Sequence, residues 1–140
     1  MIKIADSSGM NNHQIDALIR SIGTNVDCER TGAWRFELDE VVLYCITDEI
    51  HDRMRVITPI ANLDETPVEV IQACMQANFD RALDARYCIH DGTIWGAFIH
   101  PLSSLTEPLF ESALSQVCQV ARNFGGTYSS GALVFGVPTQ

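Results

Sequence analysis

The residues with the most chemical potential in this 140-residue chain are Cys88, His90 and His100. A thiolate beside an imidazole makes a nucleophile, and imidazoles with a thiolate can hold a metal ion. Cys88 and His90 stand two apart in Arg86 to His90, a strand by composition, so they share a face. His100 closes the partner segment Thr93 to His100, and Asp91-Gly92 between the two is a strong type I′ hairpin signal. In the register of a two-residue turn Tyr87 faces Gly96, Ile89 faces Ile94, and Cys88 faces Trp95. That register puts His90 beside the turn and His100 at the far end, too far apart for one metal site. Strand neighbours on one face point in parallel, and no third group orients Cys88 and His90 toward each other. An enzyme or small-ligand site around Trp95 and Cys88 is therefore the minor reading. His13 and His51 are isolated.

The acidic runs offer less. Asp48-Glu49 with Asp52, and Asp64-Glu65, lack the spaced oxygen ligands and glycine of a calcium loop. They read as solvated turns, the second favouring a following helix through its dipole. The chain holds neither GxxxxGK[ST] nor GxGxxG, and Gly125-Gly126 follows a helix instead of opening one. Cys28, Cys45, Cys74, Cys88 and Cys118 are odd in number and contain no CxxC pair. Four of them sit among apolar neighbours in expected strands or helices, the pattern of reduced core cysteines. The reading is a protein with no catalytic residue, no metal and no cofactor.

Composition narrows the partners. Eighteen acids oppose nine bases for a formal net charge of −9, and Lys3 is the only lysine. No basic cluster exists to neutralise phosphates, which argues against nucleic acid. Acidity also discourages anionic membranes. No run approaches the roughly 20 apolar residues of a membrane span, and the N-terminus lacks a signal-peptide profile. The expectation is a cytoplasmic protein of one domain, residues 1–140, with a loose arm over 1–9 and a Gly-rich tail over 127–140.

The elements follow from periodicity. A first helix runs from about Asn12 to Ile22, with Ile15, Leu18, Ile19 and Ile22 in a narrow stripe and Gly23 as the stop. Trp34, Phe36 and Leu38 then alternate with polar residues, Asp39-Glu40 turns, and Val41 to Thr47 returns. A two-residue turn pairs Phe36 with Leu43, Trp34 with Cys45, Arg35 with Tyr44 and Glu37 with Val42. A third strand spans about Arg53 to Ile60. The last helix runs from about Ser104 to Phe124, with Pro108 in its first turn and a clean apolar half. The order is α-β-β-β-α-β-β-α, an α+β domain with a mostly antiparallel twisted sheet packed by helices.

The middle helix is the exception. Thr66-Pro67-Val68-Glu69 signals its start, with Thr66 as the expected N-cap. Over Val68 to Asp80 the apolar arc covers roughly 240°, interrupted by Asn78, where a surface helix needs little more than about 100°. Burial on two sides is implied, against its own sheet and against a second copy. The expected homodimer interface is Val70, Ile71, Cys74, Met75 and Asn78. Asn78 either satisfies backbone near the helix end or fixes the register of that interface. Trp34 is either core or a partner-facing aromatic.

The stretch from Val68 to Ala121 resembles the class I type III secretion chaperones and the related bacterial YbjN-type proteins. The resemblance rests on an apolar helix ending in Gln76-Ala77-Asn78, a hairpin with Asp91-Gly92, the step Ile99-His100-Pro101-Leu102-Ser103-Ser104-Leu105, and a final amphipathic helix. It covers about residues 10–125. It implies that fold, a homodimer through the middle helix, and no cofactor or catalysis. In the secretion chaperones apolar grooves hold an extended segment of an effector protein. Here the groove would be lined by Ile15, Leu18, Ile19, Trp34 and Tyr44. The YbjN-type branch implies instead a regulatory or structural dimer without an unfolded client. The chain departs from the family in its tail, where Leu133 to Phe135 could fill such a groove in cis.

Overall fold

Residues 9–80 and 82–126 are described by the computed structural model. The expected tail, and all of the expected arm except Gly9, lie outside the described residues. The order is α1 (Asn12–Ile22), β1 (Thr24–Arg30), β2 (Ala33–Leu38), β3 (Val41–Asp48), β4 (Arg53–Asn62), α2 (Val68–Asp80), β5 (Arg86–His90), β6 (Thr93–His100) and α3 (Glu107–Asn123). The strands form one antiparallel sheet in the order β1-β2-β3-β4-β6-β5. The α+β class is as expected, with one strand more than the sequence pattern indicated. That strand is β1, an edge strand whose residues are all exposed or half-buried. A strand with no covered face has no reason to alternate, so Thr24–Arg30 carries no period of two. Its ladder slips between Thr24 and Asp27 and again between Cys28 and Arg30, and Asn25 turns left-handed at φ 51°. Such irregularity is how an edge is kept from indiscriminate pairing.

Both hairpin registers are as the turns dictate. Trp34 pairs Cys45, Arg35 pairs Tyr44, Phe36 pairs Leu43 and Glu37 pairs Val42. Tyr87 pairs Gly96, Cys88 pairs Trp95 and Ile89 pairs Ile94. Asp39, Glu40, Asp91 and Gly92 all have positive φ, the backbone of a two-residue I′ turn.

One face of the sheet is the core. Phe36, Leu43, Cys45, Met54 and Val56 are fully buried there with Phe98, under Phe110, Leu114, Val117 and Val120 of α3. α1 is fixed by a capping box, Gln14 N–H donating to Asn11 Oδ1 at 2.8 Å and Asn11 N–H donating to Gln14 Oε1 at 3.0 Å. Gly23 ends the helix with extended backbone, φ −97°, not with a left-handed cap. It is glycine for space: a Cβ would stand 2.8 Å from Phe36 Cδ2. The start of α2 also differs from expectation. The Thr66 hydroxyl donates back to the Asn62 carbonyl at 2.7 Å, closing a short 3-10 turn over Leu63–Glu65, and caps nothing in α2.

α2 does not lie across the sheet as α3 does. It packs against the edge strand β5, and buries only Cys74 and Ala77 among its residues. The loop after it is held by Gln116 of α3, a buried side chain whose Oε1 accepts the N–H groups of Asp84 and Ala85 at 2.8 and 3.0 Å. Periodicity alone puts Gln116 on the polar half of its helix. The loop's unpaired N–H groups bring it inside.

Candidate functional site

The surface that the fold leaves unexplained is the outer flank of α2. Val68, Met75 and Phe79 are 58%, 56% and 89% exposed. On a 100° wheel they fall within roughly 40° of one another, so they form one stripe. Ile89 of β5, 49% exposed, adds to it. Between helix and strand lies a small apolar crevice lined by Ile71, Cys74, Met75, Tyr87, Cys88, Ile89 and Ile94.

The residues expected at a homodimer interface divide here. Met75 is on the exposed stripe, and Val70 and Ile71 are half-buried. Cys74 is 3% exposed and points at the sheet. Burial holds its thiol up at about 11. Asn78 is occupied within its own chain: its Nδ2 donates to the Tyr87 carbonyl at 2.9 Å and its Oδ1 accepts the Tyr87 N–H at 2.8 Å. The expected set omitted Val68, Phe79 and Ile89. Phe79 was legible, since it follows Met75 by four residues on the same arc.

The five residues expected to line a groove do not converge. Ile15 and Ile19 are fully buried and Trp34 is 2% exposed. α1 spends its stripe on its own sheet, and Trp34 is core, its indole N–H donating to Asp16 Oδ1 at 2.9 Å. Leu18 and Tyr44 are half-buried, on opposite sides of the sheet. Tyr44 belongs to the helix-free face, with Val42, Ile46, Ile57, Trp95 and Ile99 between Arg35 and Arg55. A face of this mixed character can stand in water, though it offers apolar contact to a partner.

The chemistry first weighed at Cys88 is not assembled. Cys88 is exposed, its thiol raised by local desolvation, and its Sγ lies 3.8 Å from the Trp95 carbonyl. A raised thiol holds less thiolate at neutral pH and is a poorer nucleophile. Cys28 is also exposed, whereas Cys45, Cys74 and Cys118 are buried. Among the described residues no group of three or more His, Cys, Asp or Glu side chains is placed to hold a metal ion, and no helix is long and apolar enough to cross a membrane.

Backbone comparison shows which fold this is. The structure of the HopA1–SchA chaperone–effector complex matches with a TM-score of 0.60 at 13% identity, over 78% of this chain and 88% of that one. The ExsC–ExsE complex matches with a TM-score of 0.60 at 14% identity, over 82% and 97%. The fold is that of the type III secretion chaperones. No protein-family model and no curated protein sequence matches the chain. The likeness is thus one of backbone path, at an identity that fixes the fold alone.

Proposed function

We propose that this protein is a cytoplasmic, cofactor-free and non-catalytic binding module that forms a homodimer through α2 and holds a segment of a partner polypeptide. The observation that carries the reading is the stripe Val68–Met75–Phe79, left in water by a helix whose other side already packs on β5. Large apolar side chains aligned on one flank are the usual mark of a protein contact. A second copy is the simplest cover, because a twofold axis sets the stripe against itself. The polypeptide partner is supported by the fold shared with a chaperone that is held with its effector. Of the five expected contact residues, Leu18 and Tyr44 keep accessible surface, one on each side of the sheet, so a held segment meets one of them and not both.

Light scattering tests the dimer. Each chain is 15.5 kDa, so the parent protein scatters as twice that mass. Met75→Glu and Phe79→Glu lie in water already and scatter as single folded chains. A parent that stays monomeric at tens of micromolar refutes the interface. Mass spectrometry of what co-purifies then separates a polypeptide holder from a dimer without client, the YbjN-type alternative.

A further inference from the structure

A cleft of about 450 Å³ opens where the β1–β2 and β3–β4 turns meet the start of α1. Arg30, Arg53 and Arg55 line it. In a chain with twice as many acids as bases, arginines are expected to find carboxylates. Arg20 lies 3.1 Å from Asp16, and Arg122 lies 3.8 Å from Asp39. Among the described residues neither Arg30 nor Arg55 has such a partner, and Arg53 acts on the Asp52 carboxylate, whose main partner is Ser103. Arg53 also donates to the backbone carbonyls of His51 and Asp52, at 3.4 and 2.8 Å. Asp48, also at the cleft, is engaged by the His51 ring and N–H at 2.8 and 3.1 Å. Glu49 lies on the same turn and pairs with none of the three.

The sheet sets the backbone spacing of Arg30 and Arg55. Arg30 pairs Ala33, Ala33 pairs Ile46, and Ile46 pairs Arg55, so one cross-strand row runs Arg30–Ala33–Ile46–Arg55. Opposed residues share a face, and three strand spacings separate the ends by roughly 14 Å. Guanidiniums standing straight out from the sheet at that spacing meet two separate carboxylates and not one. The spacing equals the separation of residues i and i+4 in an extended chain, about 14 Å at ~3.4 Å per residue. The residue between them, i+2, would then lie midway between Ala33 and Ile46, within reach of the larger Ile46 side chain.

We infer that this cleft selects an acidic stretch of an extended polypeptide, with carboxylates at i and i+4 on Arg55 and Arg30 and an apolar side chain at i+2 on Ile46. This rests on the polypeptide-binding reading above and adds its charge preference. The probes are fluorescein-labelled peptides built on Glu-Ser-Val-Ser-Glu, with Gln and Lys versions, followed by anisotropy on the full chain. The Glu peptide binds at least about tenfold more tightly than the Gln peptide and weakens steeply with added salt. The double variant Arg30→Glu, Arg55→Glu loses the Glu peptide and gains the Lys peptide, a positive signal that an unfolded variant could not give. Equal affinity for Glu and Gln peptides, or a double variant that still holds the Glu peptide, overturns the charge selection and leaves polypeptide binding standing. Displacement of the Glu peptide by free glutamate at equal concentration also overturns it, in favour of a small-anion site. If no peptide binds and no polypeptide co-purifies, the underlying reading falls with it.

Discussion

Asn78 and Tyr87 are joined by a pair of hydrogen bonds, 2.8 Å from the Tyr87 N–H and 2.9 Å to its carbonyl. A single side-chain amide thereby supplies to the edge of β5 the donor and acceptor a further strand would bring. Asn78→Ala removes both hydrogen bonds and lowers stability by about 1–3 kcal/mol. Asn78→Asp keeps the acceptor but sets a carboxylate against the Tyr87 carbonyl, and falls at least as far. Urea midpoints measure the loss. Amide exchange should quicken across β5 while α1 is unchanged.

Gly96 lies opposite Tyr87 and beneath α3. An added Cβ would stand 2.7 Å from Val120 Cγ2 and 3.4 Å from Thr58 Cγ2. Val120 cannot easily withdraw, because its carbonyl accepts the buried Tyr87 hydroxyl at 2.7 Å. Gly96→Ala is expected to cost about 1–3 kcal/mol through overpacking. Thermal melting checks it, and an unchanged midpoint would mean that α3 shifts freely over the sheet.

The Asp16 carboxyl is held below its ordinary value, chiefly by the Trp34 indole N–H and then by Arg20. A folded-state value lower than the unfolded one makes its contribution full above the usual carboxylate range near pH 4, and lost as pH falls below it. Asp16→Asn retains an acceptor for Trp34 and does not titrate. Between pH 7 and pH 3 the variant should therefore lose less stability than the parent by urea unfolding. The difference is small, because Asp16 is about a third exposed and well screened.

Thiol titration reads the core directly. Cys28 and Cys88 should react with Ellman's reagent in the folded protein, Cys88 more slowly because desolvation raises its thiol. Cys45, Cys74 and Cys118 should react only after denaturation. A third fast thiol would place one of these three outside the core.

The hairpins were the most legible part of the sequence, because Asp39-Glu40 and Asp91-Gly92 set two-residue turns and a turn sets every pair behind it. The excess of apolar surface on α2 was legible too, as composition on a wheel. A wheel does not tell which part of a wide arc meets the sheet, and so does not separate Cys74, which faces inward, from Phe79, which faces out. The family resemblance puts Ile15, Ile19 and Trp34 at a groove, with core as the alternative for Trp34, whereas an apolar stripe of ordinary width is fully used by one packing surface. β1 and Gln116 escaped for a common reason. Neither carries a local pattern, since an edge strand is solvated and a lone buried amide answers a loop far away in the chain.

The two borders of the sheet differ in one respect that counts molecules. At β5 the carboxamide of Asn78 acts as a plug, and among the described residues β1 has no strand beyond it. On the proposed binding reading, a strand donated from outside is expected at β1 and not at β5, once per copy.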